Sequence, residues 1–425
     1  MDAQSPSAPR PILNTEFLSS SSIVFAGSFV VNVLNYIFTL LISRLMGVEE
    51  FGEVAALLSL LLIILVPASA LAMLMAREAA SRSQSHASAT QELFFYLHKH
   101  VLLAAGGLWV LFLLATPLLS HLLHIPLLPF IIFSLLIPVA GLSALQSGTL
   151  QGLQEFFSLA KQSVLGAVIK LGVSIALVLA GYSVAGVMVA LVLAQLASWG
   201  YGHFATRGAL EHPADATSGA LSGQYIRSMF GMLLLTTLLL VLLSSLDMLL
   251  AKHFLSATLA GQYGALSTVG KIILFGVGAF TTVLLPMASA AHARGAGEEK
   301  RLLALSLSIT AGAVVSAWAV FSLFPTTVVT VLFGVRYLPI APVLGTISIA
   351  MGCIALSTAL INYFIAIRNT SFMYLLGLGI IFEVFLIALN HSSLAAIVNM
   401  LVISSVILLV LMGGNYFMTH KPRTT

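Results

Sequence analysis

The sequence predicts an all-α polytopic membrane protein with about twelve transmembrane helices in two lobes of six. Of its 425 residues, 59% are apolar and only 8% are charged, whereas about 25% of the residues of soluble domains are charged. A surface with so little charge is suited to hydrocarbon rather than to water. The composition therefore excludes a soluble enzyme.

The apolar residues form runs that are long enough for helices to cross a bilayer. A spanning helix needs about 20 residues, and it satisfies its own backbone hydrogen bonds inside lipid. The predicted spans are residues 23–43, 54–76, 101–120, 127–150, 162–181, 184–205, 227–250, 262–288, 303–324, 339–366, 372–389 and 393–417.

Basic residues predict how these spans are oriented. With the N-terminus in the cytoplasm, thirteen of the 18 Lys and Arg residues fall on the cytoplasmic side. Arg44, Lys252 and Arg336 fall outside, and Lys170 and Lys271 fall within spans. Because short loops rich in Lys and Arg stay in the cytoplasm, we expect both termini there.

The chain divides into two halves at the hydrophilic segment 206–226. We expect an N-lobe of residues 1–210 and a C-lobe of residues 211–425, each with six spans. The halves share a weak pattern, in which a basic residue ends the first span and an aromatic and glycine pair opens the second. The pattern occurs as Phe51-Gly52 and as Gly261-Gln262-Tyr263. Repeats of this kind are common in alternating-access transporters.

Several kinds of site are excluded by the sequence. The single cysteine, Cys353, has no disulfide partner within the chain, and no Cys/His cluster has the spacing of metal ligands. No phosphate-binding loop or dinucleotide fingerprint occurs, and the basic residues are too scattered to bind nucleic acid. We therefore predict no catalytic residue, metal or cofactor.

Motifs spread over nearly the whole chain resemble the polysaccharide biosynthesis protein family. This family contains lipid-linked oligosaccharide flippases of the multidrug/oligosaccharidyl-lipid/polysaccharide (MOP) exporter superfamily. The motifs are Ser43-Arg44-Leu45-Met46-Gly47 with Phe51-Gly52, residues 148–156 (GTLQGLQEF), residues 181–186 (GYSVAG), Asp247, Gly261-Gln262-Tyr263, Leu285-Pro286 and residues 334–344 (GVRYLPIAPVL).

The resemblance implies a fold like that of the MATE transporters, with two lobes around a cavity that opens alternately to each membrane face. It implies movement of an undecaprenyl-pyrophosphate-linked oligosaccharide from the cytoplasmic to the outer leaflet of a bacterial or archaeal cytoplasmic (inner) membrane. The expected partners are this lipid-linked substrate, membrane lipids, and a polysaccharide polymerase or glycosyltransferases. The alternatives are a cation-coupled multidrug exporter of the same superfamily and a membrane polysaccharide polymerase.

Charges within spans are the leading candidates for the site, because an ionisable group near the bilayer centre costs at least about 3 kcal/mol. Lys170 and Lys271 lie deep in separate predicted lobes, and a pair of this kind is suited to holding a pyrophosphate between the lobes. In the alternative interpretation each lysine neutralises an acid of its own lobe, with Glu383 as the partner of Lys271. Glu383 and Asp247 are also candidates for ion or proton coupling or for gating. In the alternative interpretation, Asp247 forms an ion pair with Lys252 at the membrane interface.

Four further residues are candidates for the substrate cavity. A guanidinium such as that of Arg44 suits bidentate contact with phosphate, but an arginine at the end of a span also serves as an interface anchor. Arg77 is placed to attract the pyrophosphate and is equally a determinant of orientation. Asn32 and Asn35 lie on one helix face, where they serve either sugar binding or helix packing.

Overall fold

The computed structural model describes residues 15–82, 87–210, 223–294, 298–367 and 369–419. Within these ranges the chain is helical nearly throughout and contains no strand. The helices are α1 (Thr15–Leu45), α2 (Val48–Ile64), α3 (Val66–Arg82), α4 (Ala87–Leu123), α5 (Leu127–Ser134), α6 (Leu136–Gly152), α7 (Phe156–Leu179), α8 (Ser183–Leu210), α9 (Gly223–Phe254), α10 (Ala257–Arg294), α11 (Glu298–Leu323), α12 (Pro325–Leu332), a 3-10 segment (Val335–Val343), α13 (Leu344–Ala366), α14 (Phe372–Leu389) and α15 (Leu394–Thr419).

The predicted fold class is confirmed. Within the described ranges, ten helices are long and apolar enough to cross a membrane, or eleven if the bent pair α2 and α3 counts as one span. The predicted spans all overlap these helices or α10, and α14 begins and ends where the span 372–389 was expected. The predicted eighth span lies in α10. The structure describes this helix but not most of its side chains between residues 275 and 294.

Two of the predicted spans are broken in the middle. The span 54–76 corresponds to α2 and α3, which bend by 41° around Leu65, and the span 127–150 breaks at Leu135 between α5 and α6. Pro67 and Pro138 follow these breaks closely. Proline has no N–H to donate to the preceding helical turn, so it releases a carbonyl and permits a bend.

The two halves of the chain touch closely where α2 packs against α10. A Cβ atom placed on Gly52 would lie 2.7 Å from the backbone nitrogen of Gly261, so neither backbone leaves room there for a side chain. Phe51 packs beside this contact with its ring centroid 6.0 Å from that of Tyr337. The glycines of the two repeated motifs therefore contact each other, and they close the side of the bundle predicted to face outwards.

Further contacts across the same side join the turns of the two halves. Thr258 donates a hydrogen bond of 2.6 Å to Glu49, and Tyr337 donates one of 3.2 Å to the carbonyl of Ser43. Elsewhere α2 and α3 pack against α9. The expected boundary between residues 210 and 211 adjoins a segment outside the described residues, so the two-lobe division at that point stays a prediction.

Candidate functional site

A cavity of about 460 Å³ lies among α1, α2, α3, α6, α7 and α8. All of its lining residues within the described ranges belong to the first half of the chain. We call it the Lys170 cavity after the one charged residue among them. Its polar lining consists of Asn35, Ser69, Ser143, Ser147, Gln162, Ser163, Lys170, Gln195 and Ser198.

The cavity follows from the pattern of residues along the helices. On α7 the residues Gln162, Gly166 and Lys170 recur at intervals of four and therefore lie on one helix face. On α6 the residues Ala140, Ala144 and Ser147 follow at intervals of four and three and also share one helix face. These side chains are mostly small, so the facing helices leave open space between them. The long Lys170 side chain extends into this space.

Lys170 has a neutral environment within the cavity. Its Nζ donates a hydrogen bond to Oδ1 of Asn35 and lies 4.5 Å from the ring centroid of Phe38. In the described part of the chain, no carboxylate lines the cavity and none forms an ion pair with this lysine. An amide dipole and a ring face stabilise the cation only in part, so Lys170 keeps a charge that attracts an anion.

Two buried polar atoms in the same cavity lack partners among the described residues. They are Oγ of Ser143, whose residue is 7% exposed, and Oε1 of Gln162, whose residue is 4% exposed. A buried polar group without a hydrogen bond costs about 1–3 kcal/mol. The cavity therefore offers a cation, a hydroxyl and an amide oxygen to a ligand that carries both negative charge and hydroxyl groups.

The deep lysine of the second half has a different environment. Asp247, on α9, is 1% exposed, and its Oδ1 lies 3.8 Å from Nζ of Lys271 on α10. Its Oδ2 accepts hydrogen bonds from Tyr263 at 2.9 Å and from Ser267 at 3.0 Å. Because Tyr263, Ser267 and Lys271 recur at intervals of four along α10, they face Asp247 together.

Glu383, on α14, is buried near this cluster. It is 1% exposed, and its Oε1 has no hydrogen bond within the described ranges. The acid that pairs with Lys271 is thus Asp247 and not Glu383. The alternative pairing of Asp247 with Lys252 also differs from the structure, since Asp247 faces α10 while Lys252 lies near Glu49 and Glu53.

The predicted candidates are distributed over several places in the structure. Lys170 and Asn35 meet in the cavity, whereas Asn32 is exposed and Arg77 is exposed on α3, and neither lines it. Lys271 is also absent from its lining. The structure therefore does not bring the two deep lysines together around one site.

Arg44 contacts a short helix that the hydropathy of the sequence did not indicate. Its Nε donates to the carbonyl of Leu332 at 3.1 Å, and its Nη2 donates to the carbonyl of Val331. These carbonyls belong to the last turn of α12, where helical carbonyls lack backbone partners. Arg44 thus joins the end of α1 to the end of α12.

Some lining residues had no signal strong enough to predict them. Ser143, Ser147 and Gln162 are neutral, and serine is common inside membrane helices. A weak signal was present in the spacing, because Ser143 and Ser147 lie on one face of α6 and Gln162 lies on the Lys170 face of α7.

Comparisons with known proteins agree with this fold. The sequence profile of the polysaccharide biosynthesis protein family matches residues 17–292, which is more than half of the chain. No curated protein matches at the level of sequence.

Solved structures of the MOP superfamily are similar to this chain over nearly its whole length. The lipid II flippase MurJ in an inward closed conformation has a TM-score of 0.74 at 12% identity, covering 92% of this chain and 87% of MurJ. A multidrug resistance MATE transporter facing inward has a TM-score of 0.72 at 14% identity, covering 92% of this chain and 96% of its own.

A third similar structure is described by the polarity of its pocket. It is a MOP transporter from Pyrococcus furiosus whose binding pocket has reverse polarity, with a TM-score of 0.65 at 14% identity and coverage of 95% of both chains. These likenesses establish the fold of the MOP superfamily, and the profile match establishes the family. This chain belongs to the polysaccharide biosynthesis protein family.

Proposed function

We propose that this protein is a flippase that moves an undecaprenyl-pyrophosphate-linked oligosaccharide from the cytoplasmic to the outer leaflet by alternating access. The observation that carries the proposal is the Lys170 cavity, where a deep cation has no acid beside it. The negative charge of a diphosphate would balance the positive charge of this lysine. The family membership and the similarity to the structure of the lipid II flippase MurJ support the same function.

The polar lining of the cavity suits the sugar part of such a substrate. Sugar hydroxyls both donate and accept hydrogen bonds, and the unpartnered Ser143 and Gln162 offer a hydroxyl and an amide oxygen. A cationic drug would meet the charge of Lys170 inside a medium of low dielectric, where like charges repel strongly. The cavity therefore favours a lipid-linked sugar over a cationic drug as the cargo.

Alternating access requires one side of the bundle to close while the other opens. In this structure the predicted outer side is closed by the contact of Gly52 with Gly261 and by the hydrogen bond of Thr258 to Glu49. A state with this side closed and the cytoplasmic side open would take up substrate from the cytoplasmic leaflet. Its reversal, with the outer contacts broken, releases substrate to the outer leaflet.

The acidic cluster of the second half is the proposed coupling site. Asp247 and Glu383 are both buried, and a single lysine, Lys271, balances only one of two ionised carboxylates. A bound proton or a monovalent cation would balance the other, because an uncompensated buried charge is unfavourable. We propose that uptake or release of this cation accompanies the change of access.

The export of lipid-linked sugar tests the proposed function. In a strain that lacks the gene, the wild type should restore lipid-linked units to the outer leaflet, and Lys170→Ala should reduce their export by about tenfold or more, since a charged hydrogen bond contributes about 1.5–3 kcal/mol. Lys161→Ala is the matched control, because Lys161 is an exposed lysine of α7 that stacks on Phe157 at 4.3 Å.

The proposal fails if lipid-linked units reach the outer leaflet equally well without the protein. Unchanged export by Lys170→Ala, at normal abundance in the membrane, would remove Lys170 from the substrate site. Resistance to cationic drugs that depends on the protein would instead favour the exporter.

A further inference from the structure

A second cavity, of about 220 Å³, adjoins the Lys170 cavity on the side of α4. We call it the α4 pocket. Its lining comes from α2 to α4, from α6 and from one residue of α9, and it is apolar apart from His100. The His100 ring is exposed, and its Nδ1 lies 2.8 Å from the carbonyl of Tyr96 one turn earlier. Apart from His100, the described lining offers no charged or hydrogen-bonding side chain to a ligand.

The two cavities are adjacent, because three residues contribute to the lining of both. Leu65, Ala68 and Ala140 line both cavities. Two consecutive residues at the start of α6 lie on different faces of the helix. Leu136 lines the Lys170 cavity, and Ile137 lines the α4 pocket. A site for charge and hydroxyl groups thus lies directly beside a site for hydrocarbon.

The α4 pocket has a mouth toward the bilayer. Ala104 is exposed, and Leu108 is 44% exposed although both line the pocket. Phe230 is the one lining residue from the second half, and it packs on the cluster of α3 and α4 that contains Leu71 and Leu97. Since α4 follows the basic loop that contains Arg82, the pocket lies on the side predicted to face the cytoplasmic leaflet.

We propose that the α4 pocket holds the head-proximal part of one long isoprenoid chain whose anionic head group lies beside Lys170. This inference rests on the proposed function, because it assigns to the same substrate a place for its tail. The complementarity of charge at one cavity and of apolar surface at the next selects an amphiphile with a negative head. The remainder of the chain stays in the bilayer beyond the mouth.

The pocket raises affinity by positioning the head group, and not by burying the chain. Lipid tails are as apolar as leucine, so a chain gains little by leaving the bilayer for an apolar pocket. A chain fixed beside α4 orients the attached pyrophosphate toward Lys170. The contact of Phe230 with the pocket also makes α9 sensitive to whether a chain is present.

A steric test distinguishes binding of the isoprenoid chain in the α4 pocket from binding of the head group at Lys170. Ala104→Phe fills the pocket from its exposed mouth, and Leu103→Phe is the matched control, because Leu103 is 68% exposed on the same helix and does not line the pocket. The probes are undecaprenyl pyrophosphate and inorganic pyrophosphate, titrated into purified protein in detergent. We expect Ala104→Phe to weaken binding of the long-chain probe by about tenfold, because a chain displaced from the pocket no longer holds its head group within hydrogen-bond distance of Lys170, and to leave inorganic pyrophosphate unchanged.

A labelling measurement keeps the test decisive if Ala104→Phe does not fold. Undecaprenyl pyrophosphate with a photoreactive diazirine on its first isoprene unit should label the wild-type protein within residues 97–108 of α4. Labelling elsewhere, or equal affinities of the two Phe variants for the long-chain probe, overturns the inference.

The proposed function has a separate mode of failure. If undecaprenyl pyrophosphate binds equally well to the wild type and to Lys170→Gln, both the head site and the tail site are wrong. If binding depends on Lys170 while the α4 pocket is irrelevant, only the tail site is wrong.

Discussion

Each half of this protein has a half-buried lysine about 21 Å from the first residue of its helix, at 1.5 Å per residue. Lys271 lies 3.8 Å from a carboxylate that also accepts two hydrogen bonds. Lys170 contacts an amide oxygen and a ring face, and an open cavity lies beside it. The same residue type, at the same distance from the start of its helix, therefore has two different electrostatic surroundings.

The difference shows which lysine is available to a ligand. The charge of Lys271 is already balanced within the protein, so an anion that approached it would compete with Asp247. Lys170 has no such competitor in the described part of the chain, and it lies in the larger of the two cavities described above. A deep charge in a membrane protein indicates function only after its partners are known.

The largest expected effect comes from breaking the pair in the second half. Asp247→Leu leaves Lys271 without its acid and Tyr263 without its acceptor, so we expect a loss of about 3 kcal/mol in the free energy of unfolding. The measurement is unfolding of the purified protein in mixed detergent micelles by increasing fractions of SDS.

The matched double variant sharpens this prediction. Asp247→Leu combined with Lys271→Met removes both charges and should recover most of the loss. Lys170→Met removes a hydrogen bond and also a partly buried charge, whose effects on stability oppose each other, so stability should change by about 1.5 kcal/mol or less. A loss for Lys170→Met as large as that for Asp247→Leu would contradict the contrast between the halves.

A smaller effect is expected from giving Lys170 an acid of its own. Asn35→Asp places a carboxylate on the atom that Lys170 already contacts, so the first half comes to resemble the second. We expect the affinity for undecaprenyl pyrophosphate to fall by about tenfold, since an added carboxylate both pairs with the lysine and repels the diphosphate. Titration of the purified variant measures this change.

Asn32→Asp provides the control for that variant. It adds the same charge one turn earlier on α1, where Asn32 is exposed and does not line the cavity. We expect its affinity to stay within about twofold of the wild type, because this carboxylate does not line the cavity. Equal losses for the two variants would show that the charge acts at long range and not through Lys170.

The smallest effect is expected at Arg44. Arg44→Ala removes the donors to the last turn of α12 and should lower the free energy of unfolding by about 1 kcal/mol, with little change in substrate affinity. SDS unfolding and ligand titration on the same preparation measure both quantities. A tenfold loss of affinity at unchanged stability would instead support the role in phosphate contact that the sequence suggested.

Hydropathy was sufficient to predict most of the fold. The apolar runs located the spanning helices because lipid requires long uninterrupted helices. The break at Leu65 and the short helix α12 could not be predicted in this way, because a bent helix keeps its hydropathy and eight residues are too few to span. Their positions depend on packing, including the contact of Arg44 with α12.

The site was predictable only in part. Lys170 and Asn35 were recognisable as polar residues in apolar spans, but their contact joins helices far apart in sequence. The pairing of Lys271 with Asp247 instead of Glu383 likewise depends on how α9, α10 and α14 pack. A single sequence identifies the charged residues of a membrane protein but not the residues with which they form ion pairs or hydrogen bonds.

Binding of undecaprenyl pyrophosphate to two neutralised variants tests the central claim most directly. One variant is Lys170→Gln, and the other is Asp247→Asn combined with Lys271→Gln, which removes the second deep cation together with its acid. We predict that Lys170→Gln loses at least about tenfold in affinity and that the double variant binds as the wild type does. Retained binding by Lys170→Gln with lost binding by the double variant would contradict the account.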